Sequence, residues 1–399
     1  MNRPAAIMLL AIVLVALNLR PALSSLAPVL ADVRAGTGLS ASAAGLLTTL
    51  PVLCLGLFAP LAPRLARRYG TEHTVLVVLL LLAAGIVLRG LAGATGLFAG
   101  TLLAGAGIGI IGVLLPGLVK REFAERAAIM TGVYTMALCL GAAIAAGLTV
   151  PAQMLFHGDW RPALAVWALP ALLAALVWWP RVPARADTTT PAATPLTATT
   201  AGGALWRDGI AWQVTLFMGL QSSLAYCVFG WLPSLLQDRG VSALDSGLYL
   251  SGSVMLQVLS SLAAPWLSGF CRDQRAVIAL MLSLSLAGLL GTLYAPPASF
   301  WLWMVLLGLG QGGGFAMALS LIVLRAPTPA VAAQLSGMVQ GVGYTLASLG
   351  PLLLGILREH FHSPHALALL FSGIALAGIL SGTLAGRDRL VLDNRQPRP

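Results

Sequence analysis

One arginine stands where a charge is costly. Residues 15–25 read VALNLRPALSS, inside an apolar run from Ala5 to Val29, with Arg20 well within it and the helix breaker Pro21 beside it. An arginine at the centre of a membrane helix costs roughly 2.5–3.5 kcal/mol on an insertion scale, so Arg20 is expected to face a wet cavity or a partner. No Asp or Glu lies inside any comparable run; all 13 acidic residues map to loops or run ends. What remains to answer the guanidinium is backbone carbonyl, water and an incoming anion. Pro21 cannot donate to the carbonyl of Leu17 and is expected to free an acceptor next to Arg20. The chemistry on offer is the binding of negative charge. The alternative is that Arg20 ties helices together through carbonyls or snorkels outward.

Neutral polar residues recur at helical spacing in other apolar runs. Ser336, Gln340, Tyr344 and Ser348 follow every four residues, as do Ser253, Gln257 and Ser261. Gln221, Ser222 and Tyr226 mark another run, with Trp231 near its end, and Tyr134 and Thr135 a further one. Such stripes line a cavity or bond a neighbouring helix. Tyr134, Gln221, Tyr226, Gln340 and Tyr344 are expected to line it, with Gln311 as a further candidate. A tyrosine offers an apolar face and one donor, which suits a small, partly delocalised ligand. Asn18 lies about 200° from Arg20 on an ideal helix. It joins the same cavity only if Pro21 distorts the helix, and otherwise bonds another helix.

Several tempting signals carry less. Arg89, near the outer end of its run, is expected to snorkel to the interface. Gly107, Gly109 and Gly112 fit GxGxxG, as do Gly308, Gly310 and Gly313. Both sets lack the preceding strand that a dinucleotide site needs and are expected to pack helices closely. Cys54, Cys139, Cys227 and Cys271 show no CxxC spacing and read as small apolar fillers. His360, His362 and His365 fall in one loop without a rigid scaffold and read as solvated. No cofactor or metal is expected. With neither GxSxG nor HExxH, and no acid in a run to act as base, an enzyme is not expected.

The elements that must position Arg20 follow from composition. Of 399 residues, 58% are hydrophobic and 9% charged, with mean hydropathy +0.90. Average soluble domains carry about 25% charged residues, so a water-soluble fold is excluded. Membrane spans need about 20 apolar residues each. Twelve are expected, at roughly 5–31, 41–63, 73–92, 96–118, 127–150, 161–180, 209–236, 243–269, 276–295, 299–324, 331–357 and 365–386. In lipid they must be helices, because no water satisfies an open backbone. The first run is too long, and lacks a small-residue cleavage site, for a removable signal peptide.

Residues 181–206 are rich in Thr, Ala and Pro and read as a flexible linker between halves 1–180 and 207–399. The halves are alike at an offset of 205: Pro28 meets Pro233, Ala59-Pro60 meets Ala264-Pro265, Arg67 meets Arg272 and Thr131-Gly132 meets Ser336-Gly337. Six spans per half put both in one orientation, a parallel repeat with a site between halves near mid-membrane. The even-numbered connections and termini hold 17 Lys and Arg against 4 on the other side. That bias places both termini in the cytoplasm and makes the net charge of +10 a matter of topology, with no nucleic acid implied.

This architecture resembles the major facilitator superfamily, whose loop between spans 2 and 3 usually reads Gly-x-Leu-Ala-Asp-Arg-x-Gly-Arg-Arg. Here residues 63–72 read PRLARRYGTE; Leu65, Ala66, Arg68 and Gly70 match, and Arg67 replaces the usual Asp. Within the superfamily the chain resembles the cyanate and 2-nitroimidazole transporter family, on LNLRPALSSLAPVL (17–30), APRLARRYGTEHT (62–74), GLQSSLAYCVFGWLPSLLQDRG (219–240), GLGQGGGFAMALSLIVLRA (308–326) and AQLSGMVQGVGYTLASLGPLL (333–353). The resemblance implies an all-α membrane protein of two parallel six-helix halves in a bacterial inner membrane. Arg20 adds the expectation of a small, anionic substrate, handled by a monomer; the resemblance itself implies a small-molecule transporter working by alternating access and does not fix the substrate. A neutral heteroaromatic substrate such as a nitroimidazole is the alternative that it equally permits.

Overall fold

The computed structural model describes residues 3–91, 93–123, 127–182, 204–361 and 363–392. The linker expected at 181–206 therefore falls largely outside the described residues, as does His362. Twelve helices are long and apolar enough to cross a membrane: spans 1 to 12 are Ala6–Thr37, Ala41–Phe58, Thr71–Leu91, Gly93–Val119, Val133–Leu155, Trp160–Arg181, Gly209–Gln237, Ala243–Ser268, Arg275–Tyr294, Pro297–Leu324, Gln334–His360 and Pro364–Ala385. No strand occurs among the described residues. Short polar side chains start several spans by accepting free amides of the first turn: Ser40 from Ala43, Asp208 from Ile210 and Ala211, Ser242 from Asp245, and Ser363 from His365. The outward faces carry Leu80, Leu81, Leu102, Leu369 and Leu376, all exposed, as a lipid solvent requires.

Each half repeats one pattern of neighbours. Span 4 packs on spans 2 and 3, span 1 on spans 5 and 6, and span 3 on span 6; in the second half span 10 packs on 8 and 9, span 7 on 11 and 12, and span 9 on 12. The halves meet through spans 2 and 11, spans 5 and 8, and spans 1 and 7. The 205-residue offset thus relates spatial neighbours as well as letters.

Span 1 departs from the sequence-based expectation. It runs on to Thr37 rather than ending near 31, and it is broken: Arg3–Leu17 is helical, residues 18–20 form a turn, and Pro21–Ser24 starts a short second helix. Pro21 causes the break, lacking the amide that would continue the ladder. The Leu17 carbonyl lies against span 5. It presses on the backbone of Gly141 in span 5, where any side chain would collide with it. Gly141→Ala should therefore destabilise the protein by about 1–3 kcal/mol through overpacking. A clear fall in the melting temperature of the detergent-solubilised chain is expected, whereas Gly112→Ala, which meets open space, should be neutral or better. Equal melting temperatures would contradict the packing.

Three ties hold the broken segment. The Asn18 amide donates to Leu14 O (2.7 Å) and to Pro170 O of span 6 (3.1 Å). The Ser24 hydroxyl donates to Ala142 O of span 5 (2.9 Å). Arg89 of span 3 donates to Ala22 O (3.0 Å). Arg89 does not snorkel: it is 1% exposed. Its stem crosses Gly100 of span 4, which has no side chain to obstruct it, so the guanidinium reaches the short helix Pro21–Ser24 in span 1.

The face opposite the termini is closed by backbone contact between halves. A side chain at Gly355 of span 11 would meet Ala41 O at 2.7 Å and Gly45 Cα at 2.8 Å in span 2. One at Gly247 of span 8 would meet Ala146 O of span 5 at 2.6 Å. Gln237 of span 7 donates to Pro28 O of span 1 (3.1 Å), and Ser42 N donates to the Glu359 carboxylate (2.8 Å). On the face that bears the termini, Glu72 pairs with Arg121 within the first half. Arg64, Arg67 and Arg68, on the amphipathic helix Leu61–Tyr69, are exposed there.

Candidate functional site: a cavity between the halves

Between the halves lies a cavity of about 660 Å³. Its lining comes from spans 1, 2, 4, 5, 7, 8, 10 and 11, while spans 3, 6, 9 and 12 contribute no described residue. It reaches Ala59, Pro60 and Pro63 at the terminus-bearing face and includes nothing from the Gly45–Gly355 contact. The cavity is therefore open towards the termini and shut on the opposite side. Symmetry-related positions share it: Arg20 and Ala225, Thr135 and Gln340, and Cys139 and Tyr344 are each 205 residues apart and all line it.

Arg20 lines the cavity from the turn at residues 18–20 and is half-buried. Its guanidinium lies 5.4 Å from the centroid of the Phe229 ring of span 7. Among the described residues it has no hydrogen-bond or ion-pair partner, and no Asp or Glu lines the cavity. A cation over an aromatic face gains roughly 0.5–2 kcal/mol, less than a partnered charge in so apolar a setting would gain. Tyr226 and Tyr344 sit nearby in a T-shaped pair with centroids 6.2 Å apart, and Tyr134 completes the aromatic wall. Gln340 also lines the cavity and donates to Ser336 Oγ at 2.8 Å. Gln311 and Gln257 line the second-half wall.

Two of the residues expected in the cavity are absent from its lining. Asn18 is 2% exposed and committed to the Leu14 and Pro170 carbonyls; the break does not bring it round to Arg20. Gln221 is 4% exposed and stands behind Ser222, to whose hydroxyl it donates at 2.7 Å. Ser222 takes its place in the lining. Phe229 and Phe315 line the cavity without having been singled out, and Cys139, read as a small apolar filler, lines it too. Apolar residues give no signal in an apolar helix, but Phe229 follows the Tyr226 position by three residues, one helical turn, and that spacing could have found it.

Cys139 supplies a native probe. It is half-buried in the cavity wall, whereas Cys54 and Cys227 are buried and Cys271 is exposed elsewhere. With Cys271 replaced by serine, a small thiol reagent added from the terminus-bearing face is expected to label Cys139 alone, more slowly when a ligand occupies the cavity. Labelling of Cys227 in its place would contradict the cavity geometry.

Comparison with known proteins agrees with this architecture. The model of the family described as Major Facilitator Superfamily matches residues 7–353. The chain belongs to the major facilitator superfamily. Within this superfamily it is 36% identical over 387 residues to the 2-nitroimidazole transporter of Escherichia coli (strain K12), covering 96% of each chain. It is 32% identical over 383 residues to the cyanate transport protein CynX of the same organism, covering 94% of this chain and 96% of the relative. A crystal structure of the nucleoside transporter NupG superposes with a TM-score of 0.76 at 13% identity, covering 96% of this chain and 99% of the other. At that identity the likeness shows the fold. The chain is a membrane transporter rather than an enzyme.

Proposed function

We propose that this superfamily member moves a small, charge-delocalised anion across the bacterial cytoplasmic membrane by alternating access, with Arg20 taking the negative end. The observation that carries the reading is a half-buried guanidinium in a membrane cavity with no carboxylate or carbonyl partner among the described residues. A charge kept at such cost in a span marks a substrate or ion pathway by default. Tyr134, Tyr226 and Tyr344 would pack on the ligand faces, and Gln340 would orient it. A cavity without acidic residues favours facilitated transport, exchange, or a proton carried with the substrate over carboxylate-driven antiport. The 17-to-4 bias of basic residues supports cytoplasmic termini, and the protein would act as a monomer.

The aromatic wall supports a second reading: export of a neutral heteroaromatic compound whose nitro group accepts from Arg20. Relatives named for cyanate and for 2-nitroimidazole are in keeping with both. The test is charge movement in proteoliposomes on a solid-supported membrane with cyanate, nitrate, formate and short carboxylates, beside flux of labelled 2-nitroimidazole. Saturable, Arg20-dependent currents would support the anion. Silence there, with Arg20-dependent 2-nitroimidazole flux, would transfer the assignment to the neutral ligand. Flux indifferent to Arg20 would sink both.

A further inference from the structure

The second-half wall of the cavity holds an unmet demand that Arg20 does not explain. Gln311 is 4% exposed, and both its Oε1 and its Nε2 are buried without a hydrogen-bond partner. Gln257 is 8% exposed, and its Nε2 is likewise unpartnered; so is the Ser253 hydroxyl one turn away. Both glutamines line the cavity.

The local sequence explains why no side chain answers them. Gln311 sits in GLGQGGG, so its neighbours along span 10 offer no polar groups. Those glycines are taken up by helix contact: Gly308 presses on the backbone of Ser253, and Gly312 on that of Gln257. Gly310 and Gly313 press on Met281 and Ser285 of span 9. Spans 8 and 10 thus run side by side in backbone contact, bringing both amides to one stretch of wall. The amides still do not satisfy each other. On span 7 the Gln221 amide donates to Ser222 Oγ at 2.7 Å. Buried polar side chains are nearly always paired, and the exceptions call for an explanation.

We propose that Gln311 and Gln257 form a donor-and-acceptor subsite, selecting ligands that carry an N–H or O–H group in addition to the acceptor held by Arg20. The inference rests on the Arg20 reading above and narrows its substrate class. An amide presents one hydrogen-bond acceptor and one donor group. A ligand lacking a donor, such as cyanate or nitrate, leaves Gln311 Oε1 empty-handed, whereas an azole ring with its N–H satisfies both sides. Sites built to hydrogen-bond a ligand N–H reject the analogue without it far more strongly than apolar pockets discriminate by size.

The test uses the full chain purified in detergent, with thermal-shift titrations of 2-nitroimidazole and its 1-methyl analogue at a mildly acidic pH that keeps the ring N–H in place. The wild type is expected to bind the N–H compound at least about tenfold more tightly, an effect within reach of one buried hydrogen bond. Gln311→Leu should remove most of that preference while still binding the methylated compound, and Gln257→Leu should reduce it. A ratio taken within one variant is insensitive to a general loss of stability, and Gln311→Met serves if the leucine variant does not fold. Equal binding of the two compounds by the wild type, or a preference that survives in the Gln311 variants, overturns the subsite. If Arg20→Gln still weakens both compounds alike in that case, the Arg20 reading stands without it. Binding of neither compound overturns the subsite too, and cyanate titrated in parallel then reports on Arg20 separately.

Discussion

Arg20→Gln is expected to cut apparent substrate affinity by about 10- to 100-fold while changing the melting temperature little. A hydrogen bond to a charged group is worth about 1.5–3 kcal/mol, which is the size of this loss. The stability side is small. The Arg20 guanidinium has no hydrogen-bond or ion-pair partner among the described residues and lies over the Phe229 ring, so removing its charge forfeits a cation–π contact of about 0.5–2 kcal/mol and no stronger tie. Arg20→Lys should fall between wild type and Gln, since lysine keeps the charge and loses the planar fork that matches a carboxylate or nitro group. Uptake into proteoliposomes and thermal unfolding of the same preparations check both halves of the expectation. A variant that transports normally, or one that loses transport only because it melts early, would refute the binding role.

Gly355→Leu should shift the conformational equilibrium by roughly 5- to 150-fold towards the state open on the face opposite the termini. Spans 2 and 11 meet there with backbone against backbone, and a side chain at Gly355 would strike Ala41 O and Gly45 Cα. Overpacking of this kind costs about 1–3 kcal/mol. The cost falls only on the state in which the two spans touch, because rocking of the halves separates them. The readout is the rate at which Cys139 is labelled from the terminus-bearing face, which should drop. Transport should drop with it, since a carrier held in either state cannot cycle. Gly373→Leu of span 12, where a side chain meets open space, should leave both unchanged. Unaltered Cys139 labelling in Gly355→Leu would mean that this contact is not the closed gate.

Hydropathy and charge along the chain were enough for the membrane fold. A run of about 20 apolar residues has one low-energy arrangement in lipid. The twelve spans therefore fall within a few residues of their expected positions apart from the ends of spans 1, 2 and 5. The 205-residue offset anticipated the repeated packing, and an arginine without a carboxylate inside a span pointed to a central charge. The direction of each polar side chain lay beyond reach. Asn18, Gln221 and Arg89 are polar letters in apolar runs just as Arg20 and Gln340 are, yet the first three are buried away from the cavity and donate to Pro170 O, Ser222 Oγ and Ala22 O. Helical periodicity cannot carry a direction across the turn at residues 18–20, because a broken ladder no longer rotates by a constant angle per residue. Which carbonyls and hydroxyls stand opposite depends on how closely neighbouring spans approach. That is set by glycines such as Gly100, Gly141 and Gly312 meeting another helix. Solvent preference is a property of a segment and can be read from it; the partner of a polar group is a property of two segments, and only their packing decides it.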